Sequence, residues 1–297
     1  MLLVIWGHIS SIGFNFIYSF HMPVFFVISG YFFRQRAIKD VIHYSFRRLI
    51  IPYIVICAVA TIIIIAYGYG IRELLVFIFT ALWGAGSSLN TAHYFSTFPN
   101  IGPIWFLLAL FWCLIAFNFI IRIKNDIHVL LVIASLFLLS TLIGRFVFVA
   151  PFSILSGLCA LPFMYYGYFA RNHEIKRKLE IPLLAVWGGV ILFSHMNIAR
   201  CYFECYYLDV FGGIGGYLAF LKLSSYIQKV KVIANGLSFI GRNSIVYLCF
   251  HYIVNVYFHF DMNDFLFYII QIIVLTMIVI LLSVSKVTRD IFKISLK

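Results

Sequence analysis

Long apolar runs follow one another along most of the chain, separated by short polar and basic segments. A membrane-spanning helix needs about 20 mainly apolar residues. Runs near this length predict about ten spans, over 1–16, 18–33, 49–67, 103–121, 128–144, 147–169, 181–195, 208–224, 238–258 and 265–285. The apolar run 71–84 is interpreted as a re-entrant or surface helix. The pattern therefore predicts an all-α integral membrane protein with a single transmembrane domain over residues 1–297.

Basic residues fall almost entirely in alternate segments between the predicted spans. If the segment 34–48 is cytoplasmic, the cytoplasmic segments hold all of the 22 Lys and Arg residues except Arg72, Arg145 and Arg200. The positive-inside rule relates such a bias to orientation in the membrane. Counting 71–84 as a further span would break the alternation. We therefore expect an even number of spans, with both termini in the cytoplasm.

Composition agrees with a lipid environment and narrows the function classes. Hydrophobic residues make up 64% of the chain and charged residues 11%, with a mean hydropathy of +1.03. The net charge of +12 is spread over many short loops, which favours anchoring to anionic lipid over nucleic-acid binding. The six cysteines show no metal-ligand spacing, so no metal site is predicted. A disulfide between the close pair Cys201 and Cys205 stays open.

The first predicted span is short. The segment SSIGFN (10–15) has the composition of a turn, and about 12 residues at a rise of 1.5 Å reach only roughly 18 Å into a core of about 30 Å. We therefore expect the natural N-terminus to lie upstream of Met1.

Two histidines flank this turn inside apolar sequence. His8 lies about one helical turn before it and His21 one to two turns after it, so antiparallel helices would place both imidazoles at similar depth. Ionisable groups within a membrane are costly and usually face the protein interior or a wet cavity. Histidine is also suited to moving protons near neutral pH. The two residues are therefore candidate proton carriers, with a structural, hydrogen-bonded histidine as the alternative.

The residues around these histidines resemble a known family. FIYSFHMPVFFVISGYFFR (16–34), followed by RRLIIPY (47–53), resembles the acyltransferase 3 family of integral membrane acyltransferases, in its fucose 4-O-acetylase-like branch. VIWGHIS (4–10), GPIWFLLALF (102–111) and FIGRNSIVYLCFH (239–251) resemble further family segments in the same order. The family's first helix usually carries a basic residue about ten positions before its histidine, and counting back from His8 runs off this chain.

The resemblance implies transfer of an acyl group, most often acetyl from acetyl-CoA, to a hydroxyl of a cell-surface or lipid-linked sugar. It implies that His8 is the general base or a transient acyl carrier, and that His21 orients it or binds the acceptor. Guanidinium groups suit the phosphates of CoA, which makes Arg47, Arg48 and Arg34 the donor-binding candidates. Arg48 is preferred because it belongs to the family-like stretch, and anchoring to lipid headgroups is the alternative, which is favoured for Arg34. No tightly bound cofactor is expected, because acyl-CoA is a co-substrate. The implied location is the plasma membrane, the inner membrane in bacteria.

Acceptor-binding candidates come from the polar stretch before the fourth span and from the ninth span: Asn90, His93, Trp105, Asn243 and His251. A flexible loop or ordinary helix packing is the alternative at each. Two other functions share these features. A glycolipid or small-solute transporter would also have many spans and intramembrane histidines, but we find no internal repeat of the kind transporters often show. A bis-histidine haem protein would need histidine pairs at matched depth, and His251 has no evident partner in the sequence.

Overall fold

The computed structural model describes residues 1–84, 86, 101–146, 150–173, 177–258 and 262–296, and it is 81% helical. The helices of these residues are α1 (Leu2–Ile9), α2 (Phe14–Tyr18), α3 (His21–Tyr31), α4 (Ile38–Ser45), α5 (Ile51–Ala66), α6 (Ile71–Trp83), α7 (Trp105–Ile120), α8 (Asp126–Phe146), α9 (Ile154–Cys159), α10 (Leu161–Ala170), α11 (Arg177–Phe193), α12 (Tyr207–Ile227), α13 (Lys231–Arg242), α14 (Ser244–Tyr257), α15 (Asp264–Val284) and α16 (Lys286–Phe292). Short 3₁₀ turns cover Gly102–Ile104, Pro151–Ser153 and Ile198–Arg200, and a π-helical turn covers Phe46–Ile50. Two-residue antiparallel strands, β1 (Met196–Asn197) and β2 (Tyr202–Phe203), form the sheet of the described residues.

Helix length and composition support a protein that crosses the membrane several times. Within the described residues, five helical stretches are long and apolar enough to span: Ile38–Ala66, Gly102–Ile120, Asp126–Phe146, Tyr207–Ile227 and Asp264–Val284. Two bent helix pairs raise the number to seven if each pair is one span. The multi-pass membrane fold is confirmed, whereas the ten-span count stays a prediction. The shortfall arises because helices such as α1, with 8 residues, and α3, with 11, are too short to qualify alone.

Two of the predicted spans are bent, and a third is longer than predicted. The run 238–258 is not one straight helix, because α13 and α14 meet at an angle of 78°. The bend falls at Asn243, whose φ of −100° and ψ of 18° are not helical. Helices α9 and α10 are likewise bent by 49°. The third predicted span begins earlier than expected, because its helix continues from Ile38 through the π-helical turn.

Close helix packing brings α3 to the centre of the fold. It packs against α10 and α12, and α12 packs in turn against α11. The four glycines of the segment 212–216 in α12 make these approaches possible, because small residues let helix backbones come close. A Cβ atom on Gly215 would lie 2.2 Å from the backbone oxygen of Leu183 in α11, and one on Gly216 would lie 2.4 Å from the Phe20 side chain just before α3.

Candidate active site

A tight turn brings His8 and His21 to the same region of the protein. Helix α1 ends at Ile9, and Ser10 adopts an extended conformation with φ −123° and ψ 147°. Gly13 follows with a φ of +75°, a left-handed conformation that glycine adopts without a steric penalty. The Trp6 indole donates a hydrogen bond of 3.0 Å to the carbonyl oxygen of Ile12 across this turn. The turn is therefore present but shorter than the predicted 10–15, because α2 already begins at Phe14, and it folds α2 back so that Tyr18 lies near His8.

His21 is the first residue of α3, and its ring is tied to the preceding helix. Its Nδ1 lies 2.8 Å from the carbonyl oxygen of Ile17 in α2. A carbonyl oxygen only accepts, so Nδ1 carries the hydrogen and Nε2 presents a lone pair. Pro23 stands in the first turn of α3, where a missing backbone N–H removes no helical hydrogen bond. The His-Met-Pro sequence therefore starts the helix that holds His21.

His8 is half-buried. Its ring lies beside another imidazole, that of His251. The ring centroids of His8 and His251 are 5.2 Å apart, with the planes inclined by 49°. The ring of Tyr18 lies near both His8 and His21, with centroid distances of 6.4 Å and 4.6 Å respectively. The structure thus gathers three histidines and a tyrosine from α1, α2, α3 and α14.

One cavity connects this histidine cluster with the basic segment after α3. It has a volume of about 510 Å³. Its wall includes His8, His21, Trp105, Arg34, Arg36 and Arg48. The full length of α3 separates His21 from the arginines, and eleven helical residues at 1.5 Å each correspond to roughly 16 Å. The cavity is therefore elongated, with imidazoles near one end and guanidinium groups near the other.

Hydrogen bonds from two other helices fix the backbone that carries Arg34 and Arg36. Buried Asn118 of α7 accepts from the backbone N–H of Arg36 and donates to its carbonyl oxygen, each at 3.2 Å. Arg122 donates to the same carbonyl oxygen at 3.0 Å. Arg171, after α10, donates to the carbonyl oxygen of Phe33 at 3.1 Å. The segment after α3 is thereby held in place, in a setting of several positive charges.

The π-helical turn Phe46–Ile50 places Arg48, but not Arg47, on the cavity wall. Such turns interrupt α-helical spacing and often occur at functional sites. The Arg48 guanidinium donates to the hydroxyl of Tyr44. The guanidinium carbons of Arg36 and Arg48 both lie 4.9 Å from the centroid of the Tyr44 ring. Tyr44 therefore brings the two cations together at the arginine end of the cavity.

No carboxylate among the described residues neutralises these arginines. The ion pairs of the described part of the chain are Lys222–Glu180 and His195–Glu204. Neither pair includes Arg34, Arg36 or Arg48. Unpaired guanidinium groups around a cavity favour an anionic ligand, and phosphate oxygens match their fork geometry.

The candidate acceptor residues do not all come together. Trp105 lies on the cavity wall, beside Gly86. Asn243 is buried, and its amide is engaged by the Phe239 and Ser295 carbonyl oxygens and the Ser295 N–H, each at 2.9 Å. His251 is off the cavity wall, against His8. Asn90 and His93 lie outside the described residues.

The open question of a disulfide is also answered, since Cys201 and Cys205 are free thiols.

Sequence reasoning did not find the proximity of His8 and His251, the polar clamp around Arg36, or the π-helical turn before Pro52. All three depend on which helices meet, or on a local change in helical geometry. The family-like segment FIGRNSIVYLCFH did mark His251, but nothing in that segment names its neighbour.

The geometry matches a site for an elongated anionic molecule whose reactive group lies beside imidazoles. A model of the acyltransferase 3 family, described as an acyltransferase domain, matches residues 1–287 of the chain. Comparison with curated proteins gives no match, and comparison with solved structures gives none. The family match spans both histidines and all of the cavity residues named above. The chain therefore belongs to the acyltransferase 3 family of multi-pass membrane acyltransferases.

Proposed function

We propose that the protein transfers an acyl group, most often acetyl, from acyl-CoA to a hydroxyl of a cell-surface or lipid-linked sugar. The observation that carries this proposal is the single cavity shared by His8, His21 and three arginines. Acyl-CoA has phosphates at one end and a thioester at the other, joined by a long flexible arm. The cavity offers complementary groups in that order.

On this proposal, Arg34, Arg36 and Arg48 bind the phosphates of the donor. Tyr44 holds two of these cations side by side, and the Asn118 clamp keeps the Arg36 backbone in place. The side chain of Arg47 does not line the cavity, so Arg47 makes only an accessory contact with the donor. The thioester then reaches along α3 toward the histidines. A hydroxyl is a poor nucleophile at neutral pH, so the reaction needs a base beside the thioester carbon.

His8 is the proposed base. It takes the proton of the acceptor hydroxyl as the acceptor oxygen attacks the thioester carbonyl, and a C–O bond forms. The C–S bond then breaks, and His8 returns the proton to the CoA thiolate. The products are an ester and CoA thiol, so atoms and charge balance. His21 has its Nδ1–H engaged by Ile17, so its Nε2 is an acceptor suited to binding the sugar hydroxyl.

The acceptor enters from the histidine end, where Trp105 provides an aromatic face for a sugar ring. Asn90 and His93 remain proposed acceptor contacts, while Asn243 has its amide engaged within the protein. The fucose 4-O-acetylase-like branch suggests a deoxysugar acceptor. We also propose that the chain has ten spans, keeps both termini in the cytoplasm and lies in the plasma membrane. In this orientation the arginines are on the side where acyl-CoA is made.

The direct test is acyl-CoA cleavage by the purified protein in lipid nanodiscs. Acetyl-CoA is supplied with and without methyl fucoside or a bacterial surface polysaccharide, and free CoA thiol and acetylated sugar are measured together. We expect thiol release that depends on the acceptor and falls by about 10²-fold or more in His8→Ala, the usual scale for a lost general base.

His128→Ala is the matched control, because His128 is exposed at the start of α8, away from the cavity. It should retain wild-type turnover. If acetyl-CoA and a panel of longer acyl-CoAs all stay intact with every acceptor, the enzyme proposal fails and transport becomes the better explanation. If turnover occurs but His8→Ala matches wild type, His8 is not the base.

A further inference from the structure

His251 is fully buried in α14, at the end of the family-like segment FIGRNSIVYLCFH. Its exposed fraction is 0%, yet it is an ionisable side chain within an apolar span. Such residues are usually paired with a specific partner. The ring that lies beside it is that of His8, at 5.2 Å between centroids with the planes inclined by 49°.

The hydrogen bonds of His251 determine which nitrogen carries its proton. Nδ1 lies 2.9 Å from the carbonyl oxygen of Tyr247 and 3.0 Å from that of Leu248. Both partners only accept, so Nδ1 is the donor and Nε2 holds a lone pair. Nε2 is buried and has no hydrogen-bond partner among the described residues. Burying such an acceptor unpaired costs about 1–3 kcal/mol, so the site favours a donor there.

Two amide side chains hold the backbones of this pair in register. Asn255 is one turn after His251 on the same face of α14, and its amide donates to the carbonyl oxygen of His8 at 2.8 Å. Gln271 of α15 donates to the carbonyl oxygen of His251 at 2.6 Å. Helices α1, α14 and α15 are thus linked through the two histidines. Links of this kind set the position of both rings relative to each other.

We propose that a modest rotation of the neighbouring His8 ring lets one of its N–H groups donate to the unpaired Nε2 of His251, and that this bond positions His8 as the base. This inference rests on the proposed acyltransferase function, which it deepens. With one nitrogen of His8 donating to His251, the other is left with its lone pair toward the cavity. That nitrogen takes the acceptor proton, and the N–H facing His251 then helps carry the positive charge on the ring. His251 acts only through His8, so it is a positioning residue.

The kinetic test compares His251→Gln with His251→Leu. The amide oxygen of Gln can take the place of Nε2 as an acceptor, whereas Leu has similar bulk and no acceptor. We expect His251→Leu to lower kcat by about 10²-fold with KM for acyl-CoA nearly unchanged, because the arginine end is untouched. His251→Gln should recover most of that loss. Equal losses in both variants, or a loss confined to KM, would overturn the proposal.

A second measurement does not depend on turnover. The nine histidines can be labelled with ¹⁵N and the His251 signals assigned by their loss in His251→Gln. We expect the tautomer with hydrogen on Nδ1 and a hydrogen-bonded Nε2 whose shift changes in His8→Ala. Hydrogen on Nε2, or an Nε2 signal that ignores His8→Ala, would overturn the pairing. A wild-type protein without acyltransferase activity would instead reject the function, while these spectra still decide the His8–His251 contact.

Discussion

Asn118 and the backbone of Arg36 form a reciprocal pair of hydrogen bonds that joins α7 to the segment after α3. The Asn118 oxygen accepts from the Arg36 N–H, and its amide donates to the Arg36 carbonyl oxygen, both at 3.2 Å. The amide has an exposed fraction of 0%. A single buried side chain thereby fixes both polar groups of one residue on the cavity wall.

Asn118→Ala removes both of these bonds, so the Arg36 N–H loses its partner while the Arg36 carbonyl oxygen keeps only the bond from Arg122. We expect the unfolding free energy to fall by about 1–3 kcal/mol. The looser Arg36 segment should raise KM for acyl-CoA by about tenfold, which corresponds to about 1.4 kcal/mol of binding, with less effect on kcat. Thermal unfolding and steady-state kinetics in nanodiscs measure the two effects.

Asn125→Ala is the control for this variant. The Asn125 side chain accepts from the backbone N–H groups of Ile127 and His128 at the start of α8. Losing such a cap costs about 1 kcal/mol, but Asn125 does not line the cavity. The role of Asn118 in donor binding is rejected if the two variants raise KM equally.

Arg48 and Arg47 are neighbours with different positions, which gives a matched comparison. Only Arg48 lies on the cavity wall. Arg48→Gln should raise KM for acyl-CoA by about 10- to 100-fold, the equivalent of a charged hydrogen bond worth about 1.5–3 kcal/mol. Arg47→Gln should change KM by less than about threefold, as expected for a surface charge. The penalty of Arg48→Gln should shrink with acyl-pantetheine, which lacks the nucleotide phosphates; an unchanged penalty would place Arg48 elsewhere in the reaction.

Apolar length and turn composition predicted much of the fold. The turn between His8 and His21 lies within SSIGFN, because a glycine with φ of +75° is needed there. The bend at Asn243 was not predictable from hydropathy. Apolar residues continue through it, and the bend depends on an amide that bonds to Ser295, far along the chain. The pattern of hydrophobic residues indicates whether a segment lies in an apolar environment, but it does not reveal a contact made by a single side chain.

The candidate site shows the same division. His8 and His21 do come to one region, since they line one cavity and both lie near the ring of Tyr18, while their equal depth in the membrane stays a prediction. The ring whose centroid lies 5.2 Å from that of His8 nevertheless belongs to His251, at the other end of the sequence. Arg47 and Arg48 were both donor candidates in the sequence, with Arg48 preferred, and only Arg48 lies on the cavity wall, after the π-helical turn begins. Such choices arise from tertiary packing, which one sequence does not reveal.

Gly30 of α3 and Gly167 of α10 mark a close approach of two helix backbones, and this gives a prediction for stability. A Cβ atom on Gly30 would lie 1.9 Å from the backbone oxygen of Met164, and one on Gly167 would lie 1.9 Å from that of Val27. Neither backbone can move without separating α3 from α10. We expect Gly30→Ala and Gly167→Ala each to destabilise the protein by about 1–3 kcal/mol, as overpacked cores do, and to lower turnover through displacement of His21.

Gly188→Ala in α11 is the control, because no atom lies within 4 Å of a Cβ added there. Alanine is the better helix former by about 1 kcal/mol, so this variant should be as stable as wild type or more so. Thermal unfolding of the three variants in one detergent measures these differences in stability. Equal stability of Gly30→Ala and Gly188→Ala would show that the two helices are not in backbone contact at this point.

Cys205 offers a test of orientation in the membrane. It lies in the turn between β2 and α12, where its backbone N–H donates to the buried carboxylate of Asp209 at 3.0 Å. Its side chain is exposed, whereas Cys201 and three other cysteines are buried and Cys57 is half-buried. The charge pattern predicts that this segment faces outward.

A membrane-impermeant maleimide should therefore label Cys205 in intact cells, and Cys205→Ser should abolish the signal. Ser225→Cys, added to Cys205→Ser on the predicted cytoplasmic end of α12, should be labelled only after the membrane is broken. The reverse pattern would invert the orientation and place the arginine end of the cavity away from the cytosolic acyl-CoA pool.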